Sequence, residues 1–123
     1  MLDYAALYTH CLQYPGSSHD FPFGPEVAVF RVAGKMFALC NPQQVPLKIN
    51  LKCEPVLAEL LREKYQAVAP GWHMNKRHWN TITVGEDLND AEVLAQVDQS
   101  YVLVTASLPQ KTQRSLGLLP PLR

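Results

Sequence analysis

The segment Leu47-Lys48-Ile49-Asn50-Leu51-Lys52 alternates apolar and polar residues at every step. Such alternation places successive side chains on opposite faces of an extended strand. Leu47, Ile49 and Leu51 therefore face a core, while Lys48, Asn50 and Lys52 face away from it. A chain with this strand must build a sheet with one covered face, and the rest of the sequence has to supply partners and a cover.

The partners lie on both sides. Val27–Val32 is rich in β-formers, and Lys35–Cys40 returns after the turn candidate Ala33-Gly34, so the pair reads as a hairpin. Trp79–Val84 reads as a further strand. Helical spacing supplies the cover. Asp3 caps a helix with Ala5, Tyr8, Cys11 and Leu12 on one face, ended by Tyr14-Pro15-Gly16. Glu54-Pro55 opens a second helix with Leu57, Leu60 and Leu61 as its buried stripe. Asn89 and Glu92 have capping-box spacing before the stripe Val93, Val97, Tyr101, Val104 and Leu108, which Pro109 ends.

Ser17–Pro25 reads as a loop whose Phe21 and Phe23 pin it to the core, and 67–80 as irregular apart from one short strand. The expected fold is α+β: a two-layer sandwich with an antiparallel sheet of four to five strands and three helices on one face, in the order α-β-β-β-α-β-β-α. Residues 1–108 form a single domain and 109–123 a C-terminal tail on the surface.

Composition limits function. Eleven Lys and Arg balance 11 Asp and Glu, for a formal net charge of +0. That argues against a strong non-specific nucleic-acid binder but permits a local basic patch. Cys11, Cys40 and Cys53 are scattered in apolar surroundings, as expected of reduced, core-packed thiols. No apolar run approaches the ~20 residues of a membrane span, and the N-terminus lacks a basic-then-apolar leader pattern. A cytoplasmic monomer without a membrane partner is expected.

The most distinctive stretch is Pro70-Gly71-Trp72-His73-Met74-Asn75-Lys76-Arg77-His78-Trp79-Asn80-Thr81. It offers two cations, two histidines and two tryptophans, and Lys35, Lys48 and Lys52 lie nearby in an antiparallel sheet. Cations beside an aromatic suit phosphate contact with base stacking. The other reading is a loop fixed to the core by Trp72 or Trp79, with Lys76 and Arg77 solvated. His73 and His78 are too far apart for a helical ligand pair, and no neighbouring Cys or acid completes a metal site; each ring is expected to bond backbone. A catalytic reading would use His73 or His78 as base, Lys76 or Arg77 as anion clamp and Cys53 or Ser100 as nucleophile. No spacing supports a triad, and no phosphate-binding loop is present. No enzyme activity, cofactor or metal is expected.

This stretch resembles the MmcQ/YjbR family, which carries a Pro-Gly-x-His-x-Asn-Lys-x-His-Trp-Asn-Thr signature. Cys11-Leu12, Pro15-Gly16, Phe23-Gly24, Val29–Val32, Gly34–Ala38, Asn50–Cys53, Ser100-Tyr101 and Leu103-Val104 extend the likeness to about Leu108. The resemblance implies a secretion-chaperone-like α/β fold and a DNA-binding protein with a double-wing motif. The expected function is a non-catalytic module that binds DNA through the open sheet face and the His73–Trp79 loop. Lys48, Lys52, Lys76 and Arg77 would meet phosphates, with Lys35 nearby; Asn50, His73, Asn75, His78 and Trp79 would supply hydrogen bonds or stacking. A protein or peptide partner on the same face is the alternative.

Overall fold

The computed structural model describes residues 1–121. The chain runs α1 (Tyr4–Leu12), β1 (Ser17–Asp20), β2 (Ala28–Val32), β3 (Lys35–Cys40), β4 (Lys48–Lys52), α2 (Pro55–Lys64), β5 (Val68–Pro70), β6 (Trp79–Thr83), α3 (Asp90–Ala106) and α4 (Gln110–Ser115). The strands form one six-stranded sheet in the order β1-β2-β3-β4-β6-β5. Every neighbouring pair is antiparallel.

The architecture is the expected α+β sandwich, with two additions. Ser17–Asp20 is an edge strand, not loop: Ser17-Ser18-His19-Asp20 pairs with Val32-Arg31-Phe30-Val29. Polar residues with little strand propensity hid it, and tertiary pairing overrides propensity at a sheet edge. The tail forms the short helix α4, and Leu116 and Leu118 pack against the core. Leu122 and Arg123 of the expected tail lie outside the described residues.

Local signals explain most boundaries. Ala33 and Gly34 take φ of 49° and 80° and turn β2 back into β3, as a two-residue hairpin requires. Asn89 and Glu92 form a complete capping box at α3. Glu54 caps α2 by accepting from Val56 and Leu57 N–H groups at 3.3 and 3.1 Å.

The main core lies between the sheet and the helices. Phe30, Phe37, Ile49, Leu51 and Ile82 meet Leu7 and Cys11 of α1 and Val93, Val97, Tyr101 and Val104 of α3. On α1 the buried residues are Leu7 and Cys11, whereas Ala5 and Tyr8 are exposed. Of the expected stripe Cys11 is buried and Leu12 packs on the core, while Leu7 takes the place of Ala5 and Tyr8, and Leu2 ahead of the helix is buried too. On α2 the buried residue is Ala58; of the expected stripe Leu61 packs on the core, Leu57 is half-buried and Leu60 is exposed. The α3 stripe Val93, Val97, Tyr101 and Val104 is buried as expected, and Leu108 is buried too, although the helix ends at Ala106, before it. The Tyr101 hydroxyl donates to the Pro15 carbonyl at 2.7 Å. His10 and Tyr14 both meet Asp98 and tie α1 to α3.

Candidate functional site

Register decides what the other sheet face carries. Val29 pairs with Leu39, Leu39 with Asn50 and Asn50 with Thr81. Lys48 pairs with Thr83 and Lys52 with Trp79. These side chains share the face without helices, as the alternation in β4 requires. The face is not bare: Val29, Leu39 and Trp79 form a second apolar cluster, with Val27, Met36 and Met74 packed on it.

The β1–β2 loop and the β5–β6 loop rise on either side of this face and leave a cleft of about 910 Å³. Phe23 and Glu26 form one wall, and Trp72, His73 and Met74 the other. Leu39, Asn50, Thr81 and Thr83 lie in the floor, with Gln44 and Lys48 at one end. The volume falls in the range of small-ligand sites. Trp72 and Phe23 are 69% and 65% exposed, so each wall presents a free aromatic ring.

A closed circuit of hydrogen bonds sets the Trp72 wall. The Trp72 N–H donates to Thr81 Oγ1 at 2.9 Å, the Thr81 hydroxyl donates to Asn50 Oδ1, and Asn50 Nδ2 donates to the Trp72 carbonyl at 3.3 Å. Below it, Gly71 N–H donates to the Trp79 carbonyl at 2.8 Å. A Cβ on Gly71 would sit 2.7 Å from the Trp79 Cβ, so close approach is the reason for glycine here. Arg62 of α2 holds the far end: its Nε donates to Asn80 Oδ1 at 2.7 Å and its Nη2 to the Lys76 and Trp79 carbonyls.

The expected site residues separate into groups. Lys48, Asn50 and His73 line the cleft. His73 holds a left-handed φ of 57°, uncommon for a residue with a side chain, and its ring meets Trp72 edge-on at 4.7 Å. Lys52 lies beside Trp79, and Arg77 is exposed. Asn75 is exposed, its Oδ1 accepting from Arg77 N–H at 2.9 Å across the turn, and the Lys76 ammonium folds onto the Gly71 carbonyl at 3.1 Å.

Others depart from expectation. Trp79, expected to stack on a ligand, is only 8% exposed, because the loop folds back and Met74 packs over it. Lys35 points away, its ammonium 3.3 Å from Ser107 Oγ beyond the end of α3. His78 contributes its carbonyl, which accepts from Cys53 N–H at 2.8 Å. Neither His73 nor His78 bonds backbone through its ring among the described residues. Phe23, expected to pin its loop to the core, is exposed, while Phe21, also exposed, meets the His19 ring edge-on at 4.9 Å.

Phe23, Trp72, Thr83 and Arg62 were not among the expected site residues. The alternation of Trp79, Thr81 and Thr83 marked one of them; nothing in the sequence marked Arg62.

The groups considered for nucleophilic chemistry are withdrawn from solvent. Ser100 is fully buried, donating to the Phe37 carbonyl at 2.5 Å and accepting from Lys52 N–H at 2.9 Å. Burial raises the thiol pKa of Cys53 and pushes that of Cys40 up to about 12, against thiolate formation. Among the described residues no three His, Cys, Asp or Glu cluster as a metal site would need. No helix of these residues is long and apolar enough to cross a membrane.

Comparisons with known proteins agree on one group. The YjbR family profile matches residues 12–103. The chain is 35% identical over 103 residues to the uncharacterized protein YbdF of Escherichia coli O157:H7, covering 84% of each. It is 30% identical over 110 residues to the uncharacterized protein YjbR of Escherichia coli K12, covering 89% of this chain and 93% of that one. The crystal structure of Deinococcus radiodurans protein DR2400 superposes with a TM-score of 0.91 at 34% identity, covering 99% of this chain and 93% of that one. A Pseudomonas syringae protein superposes at 0.71 with 27% identity, covering 83% and 98%.

Proposed function

The chain belongs to the YjbR family, and from that premise we propose that it is a non-catalytic binding module whose ligand is DNA, met on the cleft face of the sheet. The observation that carries this reading is how a neutral chain distributes its charge. Of the 11 acidic residues only Asp20 and Glu26 belong to β1 or the β1–β2 loop; the rest sit on helices, at their caps or in the loop entering α3. Arg31, Lys48, Lys52, Lys76 and Arg77 lie on the cleft face or in the β5–β6 loop. Arg31 is paired with Asp20 at 3.0 Å, which leaves four cations against Glu26. Local positive potential, not net charge, governs phosphate attraction. A cytoplasmic setting goes with this reading, since the three cysteines are free thiols.

The test is fluorescence anisotropy of labelled DNA at roughly 50 and 200 mM salt. If four cations each neutralise one phosphate, affinity falls roughly 50- to 150-fold over that range. Lys76→Ala/Arg77→Ala weakens binding and flattens the salt slope. Absence of binding at the lower salt would defeat the proposal.

A second reading has its own support. Met36, Leu39 and Met74 give the cleft an adaptable apolar lining, the kind that accepts peptide side chains. A peptide complex held there would be nearly indifferent to salt.

A further inference from the structure

We infer that the cleft receives one unpaired base, so that the strand bound is single. This rests on the DNA reading above and deepens it. The floor is recessed between two loop walls, and its polar groups share the cleft with the exposed rings of Trp72 and Phe23. A duplex keeps its bases stacked and paired, and it would meet only the rims of such a cleft. A base swung out of its stack reaches the floor and finds an aromatic face on the way.

The chemistry of the lining fits a base more closely than a bare phosphate. Asn50 spends one amide hydrogen on the Trp72 carbonyl and one Oδ1 lone pair on Thr81. One further hydrogen and one further lone pair of the carboxamide remain for a ligand. Thr83 adds a hydroxyl, and Gln44 a second carboxamide. Lys48 is the cation lining the cleft, which suits the phosphate flanking one inserted nucleotide.

The circuit through Thr81 and Asn50 fixes the Trp72 backbone before ligand arrives. The backbone that carries the Trp72 ring is therefore preorganised, which lowers the ordering cost of binding. Trp72 is the exposed tryptophan and Trp79 the buried one, so stacking has a direct optical signature.

The experiment compares a labelled dT12 strand with a hairpin duplex of equal length at low salt, while following tryptophan emission. The expected result is at least tenfold tighter binding of the single strand, with quenching of Trp72. Trp72→Ala loses about tenfold or more in affinity, as removal of a stacking partner does, and Trp72→Phe recovers most of it. Because Trp72 is exposed, melting curves of both variants should match the parent. Duplex bound as tightly as single strand, or Trp72→Ala without effect, overturns the base site and leaves DNA binding standing. Binding of neither ligand overturns both readings.

Discussion

Asn50 and Trp72 lie on opposite sides of a sheet-and-loop junction, and the Asn50 carboxamide reaches the Trp72 carbonyl at 3.3 Å while Thr81 bridges the two. A strand side chain expected to touch ligand thus serves first to fasten the wall beside it. Thr81→Val tests this. It keeps shape but leaves the Trp72 N–H without its acceptor, and a loss of about 1–3 kcal/mol by urea unfolding is expected. Hydrogen exchange at the Trp72 amide should quicken. Unchanged exchange would mean that the loop holds its place without the circuit.

Arg62 serves three acceptors of the opposite end of the loop. Arg62→Met takes the donor from Asn80 Oδ1 and the Lys76 carbonyl and leaves the Trp79 carbonyl with the Gly71 N–H alone, and a destabilisation of about 1.5–3 kcal/mol is expected from chemical denaturation. Arg62→Lys should restore only part, since an ammonium lacks the planar fork that spans these positions.

Gly71 lies against Trp79, and an added Cβ would come within 2.9 Å of the Trp79 carbonyl oxygen and 2.7 Å of its Cβ. Both are held in a strand, so neither yields easily. Gly71→Ala should cost about 1–3 kcal/mol, as overpacking does, and should expose Trp79 to acrylamide quenching. An unchanged melting temperature with Trp79 still shielded would contradict the packing described.

His19 is packed among Tyr8, Phe21 and Phe30, and the Tyr4 hydroxyl meets its Nε2 at 2.6 Å. Burial lowers its pKa below the ordinary histidine value, and the Asp20 charge opposes this only in part. The unfolded chain then takes up the proton more readily than the folded one. The contribution to stability is full above about pH 6.5 and is lost as pH falls through the folded value. His19→Gln should flatten the stability-against-pH curve between roughly pH 5 and 7. Parallel curves for parent and variant would show that His19 does not titrate differently on folding.

The fold was largely legible where periodicity and punctuation coincide. The β4 alternation put Lys48, Asn50 and Lys52 on one face, Ala33-Gly34 made the hairpin, and Asn89 with Glu92 opened α3. Ser17–Asp20 escaped because its strand identity comes from pairing with β2, which a polar segment does not announce. The site was legible only as a neighbourhood. The sequence ties Trp72 and Trp79 equally to one stretch, yet one is exposed and the other buried. What separates them is the return of the loop over the sheet, anchored by Gly71 below and by Arg62, Asn50 and Thr81 from distant elements.

The most direct test of the central claim is an amide chemical-shift map of the labelled protein titrated with a short single-stranded oligonucleotide. The account predicts perturbations concentrated at 23–27, 48–52 and 71–83, with α1 and the outer surface of α3 silent. Perturbations centred on the helices, or none at saturating ligand, would contradict it.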